Sequence, residues 1–258
     1  MTDFATYPSL RDRTVFVSGG AAGIGGQTVR RLARQGARVG FVDVNEDAAA
    51  AIRDELADCA HAPAYRIQDI KDVEGYQRAI RELAEEVGGG TGGFYGLINN
   101  AAHDDRHDWR EVTADYWDDR QAVNIRHQFF AIQAIAPMMM EGGGGSIANI
   151  GSTSWMLKQS QMLAYTTAKS AVHGITRSFT AELGPHGIRI NTVMPGWVMT
   201  ERQKELWWTP EGGRALEEEQ PLRGEITPDD LANMLLFLMS DDSRMCSGQE
   251  FYVDAGWL

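Results

Sequence analysis

The stretch "TVFVSGGAAGIGGQTVRRLARQG", Thr14 to Gly36, decides the fold. "TVFVS", Thr14 to Ser18, is rich in β-branched and aromatic residues and predicts a short buried strand. Apolar positions Ile24, Val29, Leu32 and Ala33 recur at helical spacing, and Gly36 closes that helix like a C-cap. Between them lies "SGGAAGIG", Ser18 to Gly25. Glycine runs also mark plain turns. Here the strand before and the helix after give this one a specific use. Gly19, Gly23 and Gly25 let the backbone turn tightly and approach a pyrophosphate, and the helix N-terminus offers free N–H groups to the anion. Asp43 ends the next strand, "RVGFVD", roughly 20 residues further on. An acid there hydrogen-bonds the ribose hydroxyls of NAD and repels the extra phosphate of NADP.

The rest of the chain repeats the unit. "NEDAAAAIRDELADC" predicts a helix with Asn45 as N-cap. "PAYRIQD" and "KDVEGYQRAIRELAEEVG" predict a strand and a helix, and "GGGTGG" a surface loop. "YGLINN" is the fourth strand, and a helical pattern covers about 114–140. "GSIANIGS", "AYTTAKSAVHGITRSFTAEL" and "GIRINTVMPG" follow as strand, helix and strand. "PDDLANMLLFLMS" is a helix with Pro228 in its first turn, and "GQEFYVDAG" is the last strand. Alternating strand and helix predict an α/β fold: a Rossmann-like doubly wound parallel sheet of about seven strands, with helices on both faces. No Pro/Ser-rich linker divides the chain, so one domain over 1–258 is expected. The segment at about 197–224 fits no clean period and reads as an irregular substrate lid.

Composition narrows the function classes. The 258 residues carry 24 basic and 36 acidic side chains, a net charge of −12, which disfavours nucleic acid. The 43% hydrophobic and 23% charged content is that of a water-soluble globular chain. Two distant cysteines, Cys59 and Cys246, form no disulfide framework and fit a reducing cytoplasm. Six scattered histidines offer no metal-ligand spacing, so no metal is expected. The start, "MTDFATYPSLRDR", lacks a signal-peptide pattern, and no apolar stretch reaches the ~18 residues of a membrane span.

"YTTAK", Tyr165 to Lys169, places a phenol and an ammonium on one helix face. Oxidising an alcohol by hydride transfer needs a base for the hydroxyl proton. A phenol of pKa about 10 serves poorly near neutrality unless a cation favours the phenolate. Taken alone, the pair is equally an ordinary helix turn.

Together these motifs resemble the short-chain dehydrogenase/reductase family over nearly the whole chain. Its TGxxxGIG appears as "SGGAAGIG", its NNAG as "NNAA" (Asn99 to Ala102), and its YxxxK as "YTTAK". The resemblance implies a catalytic set of Asn124, Ser152, Tyr165 and Lys169. Tyr165 is the general base, Lys169 its partner and holder of the nicotinamide ribose, Ser152 the residue holding the reacting oxygen, and Asn124 the support of a water relay. Read singly, Ser152 is also a strand-end cap and Asn124 a buried amide. The resemblance further implies cofactor contacts from Ser18, Gly19, Gly23, Ile24, Gly25, Asp43 and Val44. Asp69 and Ile70 lie by the adenine, followed by Asn99, Ala101, Tyr165, Lys169, Pro195, Gly196, Val198 and Thr200.

The loop "AAHDDRHDW", Ala101 to Trp109, offers His103, Asp104, Asp105, Arg106 and His107 beyond a strand's carboxyl end, where ligands bind in such sheets. That density of polar groups suits a polyhydroxylated substrate, or else a charged surface. Trp155 is a sugar platform or a packing residue. Gln161 and Met162 are candidate walls; Trp197, Arg202, Trp207 and Trp208 belong to the lid segment. The substrate set is therefore His103, Asp104, Ser152, Trp155, Gln161, Trp197 and Arg202. "DDRH", "YWDDR", "STSW" and "ERQKELWWTPEG" are similar to NAD-dependent aldose 1-dehydrogenases of the D-xylose, L-arabinose and D-galactose type. That resemblance implies oxidation of the anomeric hydroxyl to a lactone, and a cytoplasmic homotetramer. A polyol or sugar-acid dehydrogenase, a 3-oxoacyl thioester or ketone reductase, and a dinucleotide-sensing module are the competing readings.

Overall fold

The computed structural model describes residues 4–88 and 93–258. Most of the predicted "GGGTGG" loop and the first three residues of the chain lie outside them. The strands are β1 (Thr14–Ser18), β2 (Arg38–Asp43), β3 (Ala64–Ile67), β4 (Gly96–Asn99), β5 (Gly145–Ile150), β6 (Ile188–Pro195) and β7 (Glu250–Val253). They pair in the order β3-β2-β1-β4-β5-β6-β7, every pair parallel. Consecutive parallel strands need crossovers, and helices supply them. In chain order these are α1 (Gly23–Arg34), α2 (Glu46–Glu55), α3 (Val73–Gly88), α4 (Ala114–Gln121) and α5 (His127–Glu141). Then come α6 (Leu163–Leu183), α7 (Glu201–Leu206), α8 (Pro210–Glu219) and α9 (Pro228–Met239).

Side chains alternate across a strand, so each strand feeds two cores. Val15 and Val17 of β1 join Val39, Phe41 and Val193 under α1 and α9. Phe16 points the other way, with Leu97, Ile147 and Ile190 beneath α3 and α5. Strands buried on both faces read as nearly continuous apolar runs, as "TVFVS" does. Local chemistry sets the helix starts. Asn45 accepts the Ala48 N–H at 3.0 Å. Thr227 and Asp230 form a reciprocal capping box ahead of Pro228.

The helical pattern expected at about 114–140 is continuous from Ala114 to Glu141, and it contains a π-helical turn, Ala122–Arg126, which carries Asn124. A π turn inserts a residue and redirects the side chains around it, a change that apolar periodicity does not register. One expectation is corrected: the segment at about 197–224 is not irregular. It holds α7 and α8, N-capped by Thr200 and Thr209, in helices too short and too exposed to leave an apolar period.

Candidate active site

Strand order reverses between β1 and β4, and a crevice opens beyond the carboxyl ends of the strands there. A cavity of about 1210 Å³ fills it. At one end the glycine loop turns from β1 into α1. Gly19 and Gly23 have φ of +67° and +53°. At Gly25 a Cβ would stand 1.9 Å from the Gly19 carbonyl, so no other residue fits. The Asp43 carboxylate closes the loop from β2, accepting N–H groups of Ala21 (2.9 Å), Val44 (2.8 Å) and Asn45 (3.1 Å).

Gly19, Gly23, Ile24, Asp43, Val44, Asp69, Ile70, Ala101, Pro195, Gly196, Val198 and Thr200 all line this cavity. Ser18, Gly25 and Asn99, which the family resemblance sets among the cofactor contacts, do not. Ser18 is buried, and its hydroxyl accepts from Asn100 and Ala101 N–H at 3.0 and 3.1 Å. Asn99 is buried and donates to Asn149 at 2.9 Å. Its neighbour Asn100 lines the cavity instead, and its amide donates to the carbonyls of Ser18 and Gly19 at 3.0 Å. Strand alternation turns one asparagine inward and the next outward, which the letters "NN" leave open. The cradle's tight glycines, the Asp43 carboxylate at the end of β2 and the slot between β1 and β4 fit a dinucleotide.

At the other end Ser152, Tyr165 and Lys169 meet on the cavity wall. Ser152 follows β5; its hydroxyl donates to Ser154 Oγ at 2.8 Å and accepts the Ser154 N–H at 3.1 Å. Tyr165 and Lys169 share a face of α6, and the ammonium nitrogen lies 5.6 Å from the phenol ring centroid. Burial raises the Tyr165 pKa, Asp104 raises it further, and Ser152 and Arg106 oppose them. Burial lowers Lys169 to about 7 against the pull of Asp104, and its Nζ donates to the Ile150 carbonyl at 2.8 Å. The net direction is upward, so the protein's own groups hold this phenol protonated. Asn124 is buried behind this wall. Its Oδ1 accepts the His103 N–H at 2.8 Å, and its amide donates to the His103 and Arg120 carbonyls at 3.0 Å. It ties the loop after β4 to the π turn.

That loop forms the roof together with α7. His103, Asp104, Trp197 and Arg202 line the cavity, as do Arg106, Met162 and Trp207. Arg202 pairs with Asp104 and with Asp105 (3.1 Å), and Gln203 donates to Asp104 at 2.7 Å. Arg120 holds Asp105 at 3.1 Å and reaches His103 Nδ1 at 2.6 Å. Burial, then Arg202 and Arg120, push His103 below the ordinary histidine pKa. Two expected substrate residues lie elsewhere. Trp155 packs edge-on against His173, ring centroids 5.1 Å apart, outside the cavity. Gln161 is exposed, and its carbonyl accepts the His107 N–H at 2.7 Å. The chain turns there through φ of +65°, which takes the Gln161 side chain away from the wall that Met162 forms. Arg120 and Asp105 carry no individual signal beyond the charge density of "HDDRH" and "YWDDR", and Gln203 none beyond its place in "ERQKELWWTPEG".

A dinucleotide cradle joined to a serine–tyrosine–lysine wall defines a class, and the comparisons agree with it. A family profile described as Enoyl-(Acyl carrier protein) reductase matches residues 19–258. The chain belongs to the short-chain dehydrogenase/reductase family of oxidoreductases. It is 42% identical over 254 residues to "D-xylose 1-dehydrogenase" of Caulobacter vibrioides (strain NA1000 / CB15N), covering 98% of each chain. It is also 42% identical over 251 residues to "Probable galactose dehydrogenase GalD" of Rhizobium meliloti (strain 1021), covering 97% of this chain and 96% of the other. Among solved structures, a 7α-hydroxysteroid dehydrogenase complexed with NADH superposes with a TM-score of 0.90 at 28% identity, covering 96% of both chains. The family and that neighbour point to a nicotinamide cofactor. Among the described residues no group of side chains could hold a metal, and no helix is long and apolar enough to cross a membrane.

Proposed function

We propose that the protein oxidises the anomeric hydroxyl of an aldose to the aldonolactone, with NAD as cofactor. The observation that carries the reading is the meeting of Ser152, Tyr165 and Lys169 beneath a polar roof in a chain 42% identical to two sugar dehydrogenases. The glycine loop would hold the pyrophosphate, Asp43 the adenosine ribose and Lys169 the nicotinamide ribose. When bound, the nicotinamide supplies the hydride acceptor and, in its oxidised form, a positive charge near the phenol. Tyr165 takes the proton of the C1 hydroxyl, and Ser152 holds that oxygen. The Lys169 ammonium favours the phenolate and passes the proton on towards the π turn. Asn124 keeps the loop after β4 in register with that turn. Trp197 and Trp207 cover the pocket and exclude water.

Asp43 supports NAD over NADP, because a carboxylate at the end of β2 would repel the second phosphate. A cytoplasmic homotetramer, as the family resemblance implies, fits the exposure of Phe129 on α5 and Leu163 on α6, each 42% exposed. Sedimentation at micromolar concentration tests the assembly. The reaction is tested by NADH formation with a panel of free aldoses, beside polyols and a 3-oxoacyl thioester in reverse. Aldose-dependent NADH with lactone as product is expected; activity confined to a polyol or thioester refutes the substrate class.

A further inference from the structure

Six cations line the cavity: Arg30, Lys71, Arg106, Arg120, Lys169 and Arg202. Arg30 is paired with Glu55, Lys71 with Asp119, Arg120 with Asp105 and Arg202 with Asp104. Lys169 donates to a backbone carbonyl. Among the described residues Arg106 alone of these has no oxygen partner. Its closest polar contact is the Met162 sulfur, 3.9 Å from one terminal nitrogen. Its guanidinium instead lies over the Trp207 ring, 5.0 Å from the centroid. Arg106 Nε and Trp207 Nε1 are both buried without a hydrogen-bond partner. Buried donors left unmade are costly, so a pocket that retains two of them side by side is built for an acceptor that arrives with the ligand. Arg106 comes from the loop after β4 and Trp207 from the end of α7, so the pair also joins floor to lid. It is close enough to Tyr165 for the guanidinium to bear on the phenol.

We propose that Arg106 and Trp207 are the specificity corner of the pocket. The guanidinium fork takes two adjacent hydroxyl oxygens of the sugar away from C1, and the indole covers the ring while donating its N–H. This rests on reading the cavity as a sugar site. A neutral diol suits the corner better than a carboxylate, because Asp104 stands beside the same pocket and the chain carries a net charge of −12. The consequence is that Arg202, the arginine the sequence favours for substrate, serves the lid, and Arg106 serves the sugar.

The test combines R106M and W207F with a matched set of sugars. The set holds the best aldose, its single-position deoxy analogues and the corresponding uronic acid. R106M is expected to lower kcat/KM on the full sugar roughly tenfold to a hundredfold, mainly through KM. A deoxy analogue lacking either recognised hydroxyl, already slow with the parent enzyme, should lose clearly less on the substitution than the full sugar does, because only one contact is left to remove. R106K should not rescue, because a lysine lacks the fork. W207F keeps an aromatic face beside Arg106 and loses the N–H together with the five-membered ring that bears it, so it should show the same pattern at smaller size, and it carries the test if R106M fails to fold. Equal losses on every sugar, with a shifted pH profile of kcat, would assign Arg106 to the phenol and overturn the proposal. Preference for the uronic acid, abolished in R106M, also overturns it. Arg106-dependent turnover of a polyol, with no aldose active, sinks the aldose reading and keeps this corner. Aldose turnover indifferent to both substitutions does the reverse.

Discussion

Replacing Lys169 by methionine should make the cofactor-free protein more stable in mild acid and less stable in alkali. A lysine in an unfolded chain titrates near 10.4. In the fold Lys169 titrates at about 7, because burial disfavours the ammonium. Below pH 7 both states hold the proton, and the fold bears the full gap, ~5 kcal/mol. Between pH 7 and about 10.4 the unfolded chain holds the proton and the fold does not, so wild-type stability rises with pH. Above that range the cost is gone. Methionine has a similar volume and no charge, but it leaves the Ile150 carbonyl without its 2.8 Å donor, at ~1–3 kcal/mol. The balance is a gain of ~2–4 kcal/mol for Lys169→Met at pH 6, which vanishes and changes sign by about pH 10. Urea unfolding of both proteins at pH 6, 8 and 10, followed by circular dichroism, reads the difference directly, since other titrating groups cancel. A variant less stable at pH 6, or a gap independent of pH, refutes the reasoning. The same variant should be inactive, because the charge that strains the fold is the one proposed to favour the phenolate.

Three further outcomes are expected. Tyr165→Phe should lower turnover roughly 10²–10⁴-fold while leaving the cofactor dissociation constant, from NADH fluorescence titration, within a few-fold of the parent; undiminished turnover would remove the phenol from the chemistry. Asp43→Ala frees the N–H groups of Ala21, Val44 and Asn45, a ready anion site, so the ratio of NADP to NAD efficiency should rise at least tenfold. An unchanged ratio in steady-state assays counts against the assignment of that carboxylate. Gly25→Ala sets a Cβ 1.9 Å from the Gly19 oxygen and 2.5 Å from Asn100 Nδ2. It should cost ~1–3 kcal/mol in denaturant unfolding and abolish NADH binding in equilibrium dialysis.

Much of this protein is written locally. The strand–glycine–helix run from Thr14 to Gly36 sets the first crossover, because a buried parallel strand, a tight turn and an amphipathic helix each have a short-range signature. Asp43 and the Tyr165–Lys169 spacing are legible for the same reason: a strand end and a helix turn place side chains by counting. Counting fails where the direction of one side chain decides. It could not show that Asn100 rather than Asn99 faces the cavity, nor that a left-handed Gln161 and a packed Trp155 lie off the pocket. Nor does counting register the π turn around Asn124 or the short helices α7 and α8. The charge cluster was visible as composition, but its pairing was not. Arg202 and Arg106 are both arginines near a polar loop in the sequence. Only tertiary structure brings Arg202 against Asp104 and leaves Arg106 on an indole with its donors unmet, because ion pairs form between groups that folding brings together from distant parts of the chain.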